Sequence, residues 1–403
     1  MEFNGPALLI TAIIAVLSPL VAELPIGLRL PMVVVEVGLG IIVGPHVLNW
    51  VSPTGMIGML GYLGLIFLFF LAGMEINFRA VRGRPLSLAV MGWLISVVIA
   101  FSFAALFYRL HVIVSSPLLI GVAATTTGMG ALLPILRDTG ELDTTFGSYV
   151  VAAGAVGEFG PIVLLSILMT REHTRWLQTA LTIFFVVFAM GALWVALHPK
   201  PHKIVTFVAD AMNATSQLPV RIAILILAML VSISEKFGLD LILGAFTAGM
   251  IVSLGSHERT GERLHHRLEA IGYGFLIPMF FVTSGMHFRL GALLSSPRAM
   301  LRLPLFLLLL LVARAVPTLI LYRQDLDSED HLPFAFYSAT SLPLLIAIAE
   351  IGVQTNRMQA DNAAALVGAG MLSILLFPII ALMARRGRAR VLSASPVESQ
   401  ETI

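Results

Sequence analysis

Ala123-Ala124-Thr125-Thr126-Thr127-Gly128-Met129-Gly130 interrupts an apolar run, 117–136, that is otherwise suited to crossing a membrane. Three β-branched hydroxyl residues followed by two glycines weaken an α-helix and supply side-chain oxygens for the backbone groups it releases. A second break, Ser338-Ala339-Thr340-Ser341-Leu342-Pro343, lies inside the run 332–353. Counting apolar runs against the roughly 20 residues of a spanning helix gives about 13 spans. They lie near 7–24, 31–48, 58–76, 86–108, 117–136, 147–169, 176–198, 219–237, 239–255, 271–288, 302–322, 332–353 and 362–384. The two breaks fall in the fifth and twelfth, an odd number of spans apart, so their chains cross in opposite directions. Interrupted helices in corresponding positions of two halves mark an inverted-repeat transporter, with its site where they meet. The fold expected is an all-α polytopic membrane protein with two crossing broken helices.

Composition agrees. Of 403 residues 58% are hydrophobic and 12% charged, with mean hydropathy +0.94. Soluble domains carry about 25% charged residues. No cysteine is present, which excludes disulfides, thiolate metal sites and thiol nucleophiles. A net charge of +2 without an aromatic-studded basic patch gives no reason to expect nucleic acid. The first apolar run lacks a basic leader and a small-residue cleavage site, so it is read as a retained span. Lys and Arg side chains in the loops, span ends and tail divide 16 to 8 in favour of one side. The positive-inside rule then places the N-terminus outside and the C-terminus in the cytoplasm. Residues 1–384 form the membrane domain, and 385–403 are expected as a short, disordered cytoplasmic tail.

Glu158 stands in the sixth span, within Tyr149-Val150-Val151-Ala152-Ala153-Gly154-Ala155-Val156-Gly157-Glu158-Phe159-Gly160-Pro161. A carboxylate at mid-membrane costs ~2.5–3.5 kcal/mol on insertion scales unless it meets water, a cation or a counter-charge. Pro161 has no N–H for the carbonyl of Gly157. An acid and an unpaired carbonyl therefore lie together, which is the chemistry of a small-cation and proton site. The bland alternative is an acid held for packing. Arg314, inside the eleventh span three residues before Pro317, needs a buried partner, with Glu158 and Glu350 the candidates. Thr126 and Thr127 would add oxygen ligands for a hard monovalent cation at Glu158, unless they merely bond back to their own helix. Thr125, Gly128, Ser338, Thr340 and Ser341 complete the broken region. Glu75, at the inner end of the third span, reads as either a vestibule acid or an interfacial residue. His257, His265 and His266 with Glu258, Glu262 and Glu269 form a charged loop or amphipathic helix whose imidazoles titrate near neutrality.

Four further segments carry a family resemblance: Leu30-Pro31-Met32-Val33-Val34-Val35-Glu36-Val37-Gly38-Leu39-Gly40-Ile41-Ile42-Val43-Gly44-Pro45, Phe70-Leu71-Ala72-Gly73-Met74-Glu75-Ile76-Asn77, Gly244-Ala245-Phe246-Thr247-Ala248-Gly249, and Phe280-Phe281-Val282-Thr283-Ser284-Gly285-Met286. In this order the chain resembles the monovalent cation:proton antiporter superfamily, in the branch of bacterial Na+/H+ exchangers and potassium-efflux antiporters. The resemblance implies a homodimer in the cell inner (plasma) membrane, with interleaved dimerisation and core halves and elevator-type alternating access. It implies transported Na+ or K+ and H+, and no cofactor. The family's paired acidic or amide position reads Gly157-Glu158 here, and Arg314 matches its basic position. With one acid where relatives carry two side chains, electroneutral exchange is the expectation. A sodium-coupled organic-anion symporter of similar fold, a channel and a non-transporting ion or pH sensor are the alternatives. No paired acids, zinc motif or Ser/His/Asp arrangement suggests an enzyme.

Overall fold

The computed structural model describes residues 4–22, 31–75, 83–111, 117–142, 144–169, 217–236, 241–255, 258–294 and 297–394. Among these, every regular element is a helix. They are α1 (Gly5–Ala22), α2 (Met32–Val43), α3 (Gly55–Glu75), α4 (Arg84–Arg109), α5 (Pro117–Ala124), α6 (Met129–Asp138), α7 (Thr145–Met169), α8 (Leu218–Lys236), α9 (Leu241–Gly255), α10 (Glu258–Ile271), α11 (Ile277–His287), α12 (Leu290–Leu294), α13 (Pro297–Leu321), α14 (His331–Ala339), α15 (Pro343–Gln354) and α16 (Ala360–Ala394). Nine helical stretches among the described residues are long and apolar enough to cross a membrane. The expected span 176–198 lies outside the described residues. Each of the others coincides with a helix or a broken pair.

The chain forms two compact, interleaved units: Met1–Ala80 with Phe159–Ser296, and Val81–Glu158 with Pro297–Ile403. In the first, α3 packs on α9 and α11, and α2 packs on α11. Glycines set these contacts. A Cβ at Gly73 would lie 2.1 Å from the carbonyl of Phe246, and one at Gly249 1.9 Å from that of Phe70. Gly40 and Gly285 do the same across α2 and α11, at 2.2 Å from the carbonyls of Val282 and Val37. In lipid no hydrophobic force drives helices together, so small residues that let backbones touch supply the attraction through packing. The four segments that carry the family resemblance are thus, in this unit, mainly packing faces. α10 continues into α11 through a π turn, Gly272–Leu276, so this stretch begins well before the expected residue 271.

In the second unit α13 packs against α4, α14 and α16, while α5 contacts α4 and α15. Both expected breaks are present: α5 stops at Ala124 and α6 begins at Met129, while α14 stops at Ala339 and α15 begins at Pro343. Pro343 needs no intrahelical donor in the first turn, which makes it a natural restart. One end of the unit is closed by an aromatic core of Phe146, Tyr149, Tyr322, Phe334 and Tyr337. Arg385 lies over the Phe146 ring, 3.9 Å from its centroid, and bonds the carboxylates of Glu141 and Asp330. Expected in a tail, this arginine belongs instead to the folded unit, and α16 runs on to Ala394.

Candidate functional site

The site is built where the two broken helices meet. An unwound turn releases backbone groups that must find partners inside the protein, because hydrocarbon offers none. Here each break serves the other. The Gly128 N–H donates to the Thr340 carbonyl at 2.8 Å, and the Thr127 hydroxyl donates to the Ser338 carbonyl at 2.6 Å. The hydroxyls of Thr126 and Ser341 bond each other. Ser373 of α16 braces the second break, accepting from the Ser341 N–H at 3.1 Å and donating to the Ser341 carbonyl at 2.8 Å. All of Thr125, Thr126, Thr127, Thr340 and Ser341 are buried.

The third participant is α7. It runs through Pro161 without ending, and the carbonyl of Gly157 accepts the Thr127 N–H at 2.9 Å. The carbonyl read from sequence as unpaired is therefore the tie that holds the first break against the acid-bearing helix. Glu158, the next residue, is 4% exposed. Thr125 and Thr126 donate back to the carbonyls of Val122 and Ala123, at 2.8 and 2.7 Å. Their hydroxyls are committed to the backbone, as threonines in membrane helices commonly are.

Arg314 corrects a second expectation. Its Nε donates to the Thr127 hydroxyl at 3.0 Å and to the Ser338 carbonyl at 3.2 Å. Its Nη1 reaches the Ser96 hydroxyl at 3.4 Å and its Nη2 the Ala153 carbonyl at 3.0 Å. These are neutral oxygens. Among the described residues the guanidinium has no carboxylate partner, neither Glu158 nor Glu350. The Ser338 carbonyl belongs to the last turn of α14, where a helix carries partial negative charge, so a fixed cation there is favourable. The same group fills the space beside Gly157: a Cβ there would lie 2.7 Å from Nη2 of Arg314 and 2.6 Å from Oγ1 of Thr127.

Two further predicted residues have these surroundings. Glu350 is on α15 and accepts from the Gln354 amide at 3.2 Å, one turn along its own helix. Glu75 ends α3 in the first unit, close to His265 and Glu269 of α10. Sequence reading missed Ser96, Ala153 and Ser373. Ser96 and Ser373 look like ordinary helix serines, and Ala153 contributes only backbone.

Comparison with known proteins gives a consistent result. The family model described as sodium/hydrogen exchanger, transmembrane, matches residues 11–382. YjbQ of Bacillus subtilis (strain 168) is 26% identical over 402 residues, covering 93% of this chain and 62% of its own length. The Na(+)/H(+) antiporter of Enterococcus hirae is 23% identical over 396 residues, covering 94% of this chain and 97% of its own. The solved structure of the sodium proton antiporter MjNhaP1 from Methanocaldococcus jannaschii at pH 8 superposes with a TM-score of 0.62 at 16% identity. That match covers 96% of this chain and 98% of the other, and it establishes the fold.

Proposed function

Because the chain belongs to the transmembrane sodium/hydrogen exchanger family, a family of transporters rather than enzymes, we propose that it exchanges protons for a monovalent cation, Na+ or K+, at Glu158. One observation carries the reading. Glu158 is a buried carboxylate in a spanning helix whose preceding carbonyl is tied to the first helix break. Exchange needs a single group for which proton and cation compete, and a carboxylate offers hard oxygen to both. Either ion leaves the acid neutralised, and the empty, charged acid is the state that lipid penalises. Arg314 supplies a fixed positive charge to the crossing without consuming the acid. Gly157 bears no second titrating group, so one proton leaves for each cation and the cycle is electroneutral.

Alternating access follows the elevator scheme implied by the family resemblance, with the second unit carrying the acid and the first forming the homodimer. The membrane is the cell inner membrane, with the N-terminus outside and the C-terminus cytoplasmic. Cation and proton are substrates, and the family needs no cofactor.

The test is reconstitution into liposomes with an internal pH dye, adding Na+, Li+ or K+ in turn. The wild-type chain should dissipate an imposed pH gradient on addition of its cation. Glu158→Gln keeps shape and polarity but cannot exchange a proton for a cation, so its signal should fall to that of empty liposomes. Wild-type exchange in folded Glu158→Gln protein would refute the assignment.

A further inference from the structure

Glu75, His265 and Glu269 bring three ligand atoms within 4.8 Å of one another in the first unit. Two elements supply them. Glu75 is the last residue of α3, and His265 and Glu269 stand four apart on α10, which places them on one helix face. The α10 pair is already closed: Nε2 of His265 lies 3.1 Å from Oε1 of Glu269. The other oxygen of Glu269 is 3.0 Å from Nδ1 of His266, which fixes the carboxylate plane. None of the three is deeply buried; the His265 and Glu269 side chains are 24% and 28% exposed, leaving a path for an ion.

We propose that Glu75, His265 and Glu269 form a binding site for a borderline divalent cation of the Zn2+ type, joining the end of α3 to α10. The donor chemistry selects the ion. Two carboxylates give the charge to hold a dication, while the imidazole nitrogen disfavours Mg2+ and Ca2+, which prefer all-oxygen shells. Zinc bonds at ~2.0–2.2 Å in tetrahedral geometry, so its ligand atoms sit about 3.4 Å apart. The His265–Glu269 pair, at 3.1 Å, has to open by a few tenths of an ångström, and Glu75 has to close by rotation of its flexible side chain. Three protein ligands leave one position for water, as in open zinc sites. The paired helical spacing is the physical device by which i, i+4 ligands grip one ion. This site is separate from Glu158 and stands whether or not that residue carries exchange.

The full chain, purified in detergent with any polyhistidine tag removed and stripped with a chelator, is titrated with Zn2+ by calorimetry and by metal analysis after dialysis. One zinc per chain is expected, with a raised unfolding temperature in the wild type. His265→Gln and Glu75→Gln should each weaken binding at least tenfold and abolish the thermal shift. Glu235→Gln, exposed at the end of α8, should change neither. The unfolding temperature without metal shows that each variant folds, and if one does not, the other decides. Absence of wild-type binding, full binding in both variants, or equal affinity for Mg2+ would each overturn the proposal.

Discussion

At Gly157 one added carbon meets two functional atoms at once, the Thr127 hydroxyl at 2.6 Å and the Arg314 guanidinium at 2.7 Å. The arginine head can swing aside, but Thr127 is pinned by its hydroxyl and its N–H, both bonded across the crossing. Gly157→Ala should therefore loosen the first break, lowering the unfolding temperature and the exchange rate together. Arg314→Lys tests the second half of this arrangement. Lysine keeps the charge but donates from a single point, and it cannot span oxygens that lie on α4, α7, the first break and α14. Losing one hydrogen bond to a charged donor costs about 1.5–3 kcal/mol, which thermal unfolding in detergent should detect. A variant as stable as wild type would mean that the charge alone matters. The acid and the arginine were legible in the sequence because ionisable residues are rare in spans. Their partners were not. The carbonyl of Gly157 could be read as lacking an intrahelical donor, but its actual donor lies 30 residues away at Thr127, and only folding brings it there.

Elements were more legible than contacts. Runs of Thr, Ser, Gly and Pro announce a helix that cannot hold itself, and both breaks appear where that chemistry places them. The packing of α3 on α9 was hidden, because glycines in apolar helices do not name the backbone they touch. Gly73→Val tests it: the added carbons would enter space 2.1 Å from the Phe246 carbonyl, which is backbone and yields only if the helices part. Overpacking of this kind costs ~1–3 kcal/mol or more, so a clear fall in unfolding temperature is expected. At the other unit's end, the turn after α13 is held to α4 by charge. The Arg84 guanidinium hydrogen-bonded to Asp325 holds its carboxyl below the usual range, and the Tyr149 hydroxyl, donating at 3.0 Å, adds to this. A carboxyl depressed on folding contributes stability above its unfolded value of about 3.9 and loses it as pH falls through the folded value. Asp325→Asn should thus lower the unfolding temperature near neutral pH and leave it unchanged in strong acid. Arg84 is 61% exposed, so salt should shrink the difference. A loss of stability independent of pH would show that packing, not charge, is what Asp325 contributes.

For the molecule as a whole, the decisive quantity is how many charges move per cycle. Among the described residues of the second unit, Glu158 is the one buried acid within a candidate span at the crossing, and the neighbouring position offers no side chain to titrate. In the proposed cycle Arg314 is a fixed charge, bonded to the neutral oxygens of Thr127, Ser338 and Ala153. One cation replacing one proton moves no net charge. The membrane potential, which contributes ~2.3 kcal/mol per charge per 100 mV, then has no hold on the equilibrium. Liposomes loaded with sodium and given a potassium–valinomycin diffusion potential of either sign should exchange at the rate seen without it. Glu350→Gln should leave that independence intact, because the proposed cycle runs through Glu158 alone, and Glu350 accepts from the Gln354 amide one turn along its own helix. A rate that changes steeply with potential would require a second proton carrier in the core. Recovery of potential-independence in the Glu350→Gln variant would then identify that residue as the carrier.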